Sequence, residues 1–109
     1  MFQHETLAGG RWGTMTLAEQ LGNIGSEISR MIRAEGRDQG RFDGAFWRAL
    51  ELFDLTLSDA RWRGRYREIA RAREVLCDLV AGDNQYRTTL ADLLRYFDWF
   101  AYRARASLR

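Results

Sequence analysis

The sequence predicts an all-α fold, a single-domain up-and-down four-helix bundle. Apolar residues recur at three- and four-residue steps in four separate stretches. No proline interrupts any of the 109 residues, so helices run without enforced kinks. No segment alternates polar and apolar residues long enough to make a strand, and no internal repeat is visible. Amphipathic helices joined by short breaks pack as antiparallel neighbours around one core.

Residues 1–14 hold Gly9, Gly10 and Gly13 without a sustained period and read as an N-terminal arm, leaving residues 15–109 for the bundle. The first helix opens at Thr16, with Glu19 three residues on, a capping-box pattern. Its apolar stripe is Leu17, Leu21, Ile24, Ile28, Met31 and Ile32, and Gly36 to Gly40 ends it. The second helix runs from about Arg41 to Ser58, with Phe42, Ala45, Phe46, Ala49, Leu50, Leu52, Phe53 and Leu57 over a wide arc. After a break at Ser58–Ala60, the third helix is expected to place Trp62, Tyr66, Ile69, Ala72, Leu76, Leu79 and Val80 in the core. Gly82 is its expected stop. Thr89 with Asp92 caps the fourth helix, whose stripe is Leu90, Leu93, Leu94, Phe97, Phe100, Ala101, Ala104 and Leu108.

Composition narrows the function. No apolar run approaches the ~20 residues a membrane span requires, so no membrane role is expected. The first residues lack the basic-then-apolar pattern of a signal peptide. Cys77 is alone, which rules out an intrachain disulfide; the expected compartment is the cytoplasm. All seventeen basic residues are Arg, a trait that fits GC-rich coding or a use for the bidentate guanidinium fork. The formal charge of +2 is too small to imply a polyanion partner by itself.

Catalytic parts are scarce. His4, the lone histidine, lies in the arm, so no histidine triad or Glu-x-x-His metal pair can form. There is no phosphate-binding glycine motif, and no cofactor is expected. Cys77 reads as a buried, inert small hydrophobe. One pattern leaves an enzyme open: Glu51 and Asp54 on the second helix with Glu74 and Asp78 on the third. Mg²⁺-dependent helical nucleotide pyrophosphatases gather acids from adjacent helices in this way, although helical phase points these four away from the core.

Five features exceed what a plain bundle requires. Ala18, Gly22, Gly25 and Ser29 form a smooth stripe on the first helix, and each interior Gly costs about 1 kcal/mol against Ala; the stripe fits an oligomer seam or close packing inside the bundle. Trp99 and Tyr102, with Tyr96, Arg95 and Arg103, lie opposite the core face of the fourth helix, where grouped aromatics and Arg mark contact surfaces. Trp47 falls on the polar side of the second helix. Arg63, Arg67 and Arg71 align at i, i+4 and i+8 on an uninterrupted third helix, as a phosphate track or a solvated face. Arg73 falls within the apolar arc and is expected to be buried and paired, with Glu27, Glu51 or Glu68 as its acid.

The runs LAEQLGNIGSE (17–27), RALELFDLT (48–56) and RAREVLCD (71–78), with the turn Gly82-Asp83-Asn84, resemble a small uncharacterised bacterial all-helical family. The likeness implies a shared fold and brings no activity with it. In size and layout the chain is also similar to the four-helix proteins encoded in ribosomal-RNA intervening sequences, a likeness of fold alone. The expected function is a non-enzymatic, self-associating adaptor with a protein partner or further copies of itself. The alternative is RNA or DNA binding through Arg61–Arg73.

Overall fold

Capping chemistry sets where three of the helices begin, at Thr16, Asp38 and Thr89. The Glu19 N–H donates to Thr16 Oγ1 at 3.1 Å, and the Thr16 N–H donates to Glu19 Oε1 at 2.8 Å. This closed box starts α2 (Leu17–Ala34) and follows a single helical turn, α1 (Trp12–Thr14). The Thr16 hydrogen bonds also hold the Glu19 carboxyl below its ordinary range. Gly36, at φ +76°, takes the left-handed conformation that favours glycine. The chain there turns back so that the Arg37 and Asp38 N–H groups both donate to the Ala34 carbonyl, at 2.9 Å each. Asp38 then caps α3 (Gln39–Leu57), accepting the Arg41 N–H at 3.1 Å. α4 (Tyr66–Ala81) and α5 (Leu90–Ala106) complete the order, with Thr89 Oγ1 accepting the Asp92 N–H at the start of α5.

The computed structural model describes residues 10–106, and among them there is no strand. Leu108 and the side chains of Phe100, Ala101 and Ala104, assigned above to the last apolar stripe, lie outside the described residues, as do residues 1–9 with His4. α2 packs most extensively, against α3 on one side and α5 on the other, while α4 packs more lightly against α3 and α5. Leu17, Leu21, Ile24, Ile28 and Met31 of α2 are buried against Ala45, Phe46, Ala49 and Phe53 of α3 and Leu90, Leu93 and Phe97 of α5. Phe53 meets Phe97 edge to face at 5.6 Å, a geometry worth about 1 kcal/mol beyond the area buried. From α4 only Ile69, Ala72 and Leu76 are fully buried.

The expected continuous third helix is broken. Residues 60–65 form a 3-10 segment, and Trp62 sits at φ −104°, ψ 21°, outside the helical region. Asp59 causes the break by accepting the Arg61 N–H only two residues on, at 3.1 Å, while its carboxylate also takes Arg61 Nε and Nη2 at 3.0 and 2.7 Å. That grip pulls the Asp59 carboxyl down to about 2. Regular helix therefore begins only at Tyr66, which is exposed rather than in the core line, while Ile69, Ala72 and Leu76 are buried as expected. Gly82 does follow the last residue of α4, but in extended conformation; Asn84 and Arg87 take the left-handed positions of the next turn.

Gln20 secures this region. Its Nε2 donates to the Trp12 carbonyl at 3.0 Å and to Asp59 Oδ2 at 3.1 Å, and its Oε1 accepts the Trp62 indole N–H at 3.0 Å. Trp12, assigned above to the arm, is thus packed into the core. Replacing Gln20 by Leu strands several of these groups at about 1–3 kcal/mol each. Urea unfolding of Gln20→Leu is expected to show a loss of about 2–4 kcal/mol, against no more than about 0.5 for exposed Gln39→Ala. Equal losses would show that the cluster is dispensable.

Candidate functional site

The 3-10 break divides the expected arginine track. Arg67 and Arg71 stand one turn apart on α4 and are exposed; Arg63 is exposed too, but it belongs to the 3-10 segment and does not continue their line. The i, i+4, i+8 alignment of all three is therefore corrected to a pair with an offset neighbour. Arg71 lies 3.9 Å from Glu74 and 5.5 Å over the Tyr86 ring. Arg71, Tyr86 and Tyr96 line a groove of about 280 Å³ between α4 and α5, floored by Ala72, Val75 and Leu93. Burial, with Glu68 nearby, pushes the Tyr96 phenol above its ordinary range.

Arg73 is paired, but not in the interior. Its Nε donates to Asp54 at 2.9 Å, and the two side chains are 32% and 46% exposed. The expectation of a buried Arg73 is corrected: with the α4 core line narrowed to Ile69, Ala72 and Leu76, Arg73 falls at the flank of the arc, within reach of α3. The buried carboxylate is Glu27 of α2, with a side chain only 7% exposed. It accepts Arg48 Nε at 3.1 Å from α3 and Arg30 Nη1 at 2.9 Å from its own helix. A carboxylate so buried is stable only when paired and hydrogen-bonded.

The small-residue stripe is divided as well. Gly25 is buried, and a Cβ there would stand 3.7 Å from Phe97 and 3.8 Å from Leu94, so this position serves the close approach of α5 to α2. Gly22 is exposed with open space above it, and Ser29 is half-buried. On the far side of α5, Trp99 and Tyr102 are 58% and 60% exposed and stack on one another at 5.5 Å. Tyr96, Arg95 and Arg103 are exposed alongside them, and Trp47 of α3 is exposed beside Phe46.

One arrangement was missed by sequence reasoning. A cavity of about 570 Å³ opens where α2 ends and α3 begins, lined by Arg30, Arg33, Arg37, Arg41 and Arg48 with Asp38. Arg30, Arg33, Arg37 and Arg41 recur at three- and four-residue steps in the sequence, a signal that the glycine-containing turn between them obscured. The acids considered above for Mg²⁺ are otherwise engaged: Asp54 holds Arg73, Glu74 lies near Arg71, and Asp78 accepts the Tyr86 N–H at 3.3 Å, while Glu51 is half-buried. Among the described residues no three His, Cys, Asp or Glu side chains gather as a metal would require, and no helix is long and apolar enough to cross a membrane. Cys77 is half-buried, 3.9 Å from Arg73 Nη1.

Compared with protein-family models, curated proteins and solved structures, the chain matches none. The two ion pairs make a stability prediction. Arg48→Ala uncovers one side of the buried Glu27 carboxylate, although Arg30 remains; a cost of about 2 kcal/mol is expected, below the range for losing a fully buried partner. Arg73→Ala is expected to cost under about 1 kcal/mol, as exposed pairs do. Coincident urea midpoints for the two variants would contradict this ordering.

Proposed function

We propose that the protein is a non-enzymatic adaptor of the cytoplasm, an up-and-down four-helix bundle that self-associates through the outer face of α5. The observation that carries this reading is the stacked, exposed Trp99–Tyr102 pair on a helix whose opposite face is already buried at Leu90, Leu93 and Phe97. Large aromatics left in water in a group favour a covering surface, and aromatic residues flanked by Arg are the usual anchors of interfaces.

The same face is self-complementary in charge. Asp92 lies near its start and Arg103 near its end, with Tyr96 and Trp99 between them. Two copies of α5 running antiparallel about a two-fold axis bring the Asp92 of one copy to the Arg103 of the other, and Tyr96 to Trp99. Asp92 is bonded to Arg95 within the chain and retains acceptor capacity for a second guanidinium. At 17 residues the helix offers a seam about 25 Å long. In this arrangement Gly25 belongs to the interior, and the seam does not use the small-residue stripe.

Light scattering at micromolar concentration is expected to give roughly twice the 12.7 kDa chain mass. The double substitution Trp99→Ala, Tyr102→Ala is expected to restore the monomer with an unchanged circular dichroism spectrum. A wild-type chain that stays monomeric under these conditions overturns the reading.

A second reading, single-stranded RNA or DNA binding, rests on the groove between α4 and α5. There Arg71 and two tyrosines combine a phosphate contact with rings on which a base can stack. Exposed Arg63 and Arg67 extend the positive surface beyond the groove. Such binding is electrostatic and sequence-tolerant. Changing Arg63, Arg67 and Arg71 to Ala is expected to flatten the slope of log affinity against log salt by about 2–3 units, at ~0.7–0.9 per phosphate contact. An unaltered slope would move the contact away from these residues.

A further inference from the structure

We propose that the cavity between the end of α2 and the start of α3 binds a compact oligophosphate group, as carried by inorganic tripolyphosphate or by the tail of a nucleoside triphosphate. At about 570 Å³ the cavity has the size of small-molecule sites. Its lining sets the ligand class. Arg30, Arg33, Arg37, Arg41 and Arg48 present five guanidinium groups, and the carboxylates that pair with them are two, Glu27 and Asp38.

Glu27 neutralises one charge while holding both Arg30 and Arg48, and Asp38 lies 3.4 Å from Arg41. Arg33 and Arg37 have no carboxylate partner among the described residues. Several like charges facing one concave space repel one another, and a multiply charged anion relieves that repulsion. Helix dipoles do not decide the matter, since the cavity adjoins the C-terminus of α2 and the N-terminus of α3, whose partial charges oppose each other. The guanidiniums do.

Part of the site is preorganised. Arg48 is tethered to the buried Glu27 through Nε alone, which leaves its Nη groups available to a phosphate. Gly44, one turn before it on α3, clears its path: a Cβ there would stand 3.3 Å from Arg48 Nη1. The ligand's phosphates, not a base, are what this lining recognises. It holds no aromatic ring, and its one apolar member is Ala34. The guanidiniums also surround one space rather than tracking a line, which suits a compact oligophosphate better than an extended nucleic-acid backbone.

Isothermal titration of the full chain at low salt, with inorganic tripolyphosphate as probe, tests this. Saturable one-site binding is expected. Arg33→Ala with Arg37→Ala removes two unpaired cations and is expected to weaken binding about a hundredfold, at roughly tenfold for each charge-assisted contact, with the urea midpoint unchanged. Arg63→Ala, Arg67→Ala and Arg71→Ala together are expected to leave the affinity as it was, which separates this site from the groove between α4 and α5. ATP binding as tightly as tripolyphosphate supports recognition of the phosphate tail alone, and ATP binding over tenfold tighter supports a nucleotide as its source. Three outcomes overturn the proposal: no saturation at millimolar tripolyphosphate, affinity indifferent to Arg33 and Arg37, or sulfate binding as well as tripolyphosphate. A single-stranded RNA that binds more tightly and loses that affinity with the Arg33, Arg37 double variant also overturns it, in favour of a nucleic-acid backbone.

Discussion

Two polar side chains, Gln20 and Glu27, are buried on α2 beside its leucine and isoleucine stripe, and a buried amide or carboxylate must find partners or destabilise the fold. Their partners come from elsewhere in the chain. Gln20 draws in Trp12, Asp59 and Trp62 at one end of the helix, and Glu27 draws in Arg48 of α3 together with Arg30 nearer the other end. The apolar face of α2 supplies the driving force for packing against α3 and α5. These two residues supply direction, because hydrogen bonds tolerate less displacement than apolar contacts do. The break at Trp62 follows from this constraint, and with it the late start of α4. Arg48 is held at the rim of the arginine-lined cavity for the same reason.

An all-arginine complement of cations acquires a structural use here. Arg61 grips the Asp59 carboxylate through Nε and Nη2 while its Nη2 also reaches the Met15 carbonyl. Arg73 meets Asp54 through Nε and Nη2, and Arg48 uses Nε alone on Glu27. A lysine ammonium is a point donor and cannot divide its hydrogen bonds between an internal carboxylate and a second acceptor in a fixed fork. The guanidinium can serve structure on one edge and face a ligand with the other. Of the five such groups around the cavity, Arg30, Arg41 and Arg48 pair with Glu27 and Asp38 at the α2–α3 end of the fold.

The outer surfaces divide by packing. α2 and α3 are held by broad apolar faces, whereas α4 commits only Ile69, Ala72 and Leu76 to the interior. Its remaining faces carry Arg67, Arg71 and the groove toward α5. α5 buries Leu93 and Phe97 and turns Trp99 and Tyr102 outward. The adaptor reading draws on that outward face and the nucleic-acid reading on the groove, which share Tyr96, while the proposed oligophosphate site uses separate side chains of α2 and α3.

The Thr16 and Thr89 caps and the apolar stripes of α2 and α3, with that of α5 as far as Phe97, were legible in the sequence, because caps and 3.6-residue periodicity are short-range properties. Thr16 and Glu19 make their box whatever lies across the core, and Leu17 through Met31 share a face by helical geometry alone. The late start of α4, at Tyr66, was not legible, although Ile69, Ala72 and Leu76 of its core line were. That start depends on Asp59 and Trp62 meeting Gln20, some forty residues away. The acid chosen by Arg73 was equally hidden: a long side chain at a given helical phase reaches several carboxylates, and only the placement of α3 brings Asp54 to it. The cavity needed the reversal at Gly36 to fold Arg30 and Arg33 of α2 against Arg41 and Arg48 of α3. Periodicity determines which way a residue points from its own helix. Which groups then meet is decided when the helices pack, since only packing sets distance and burial.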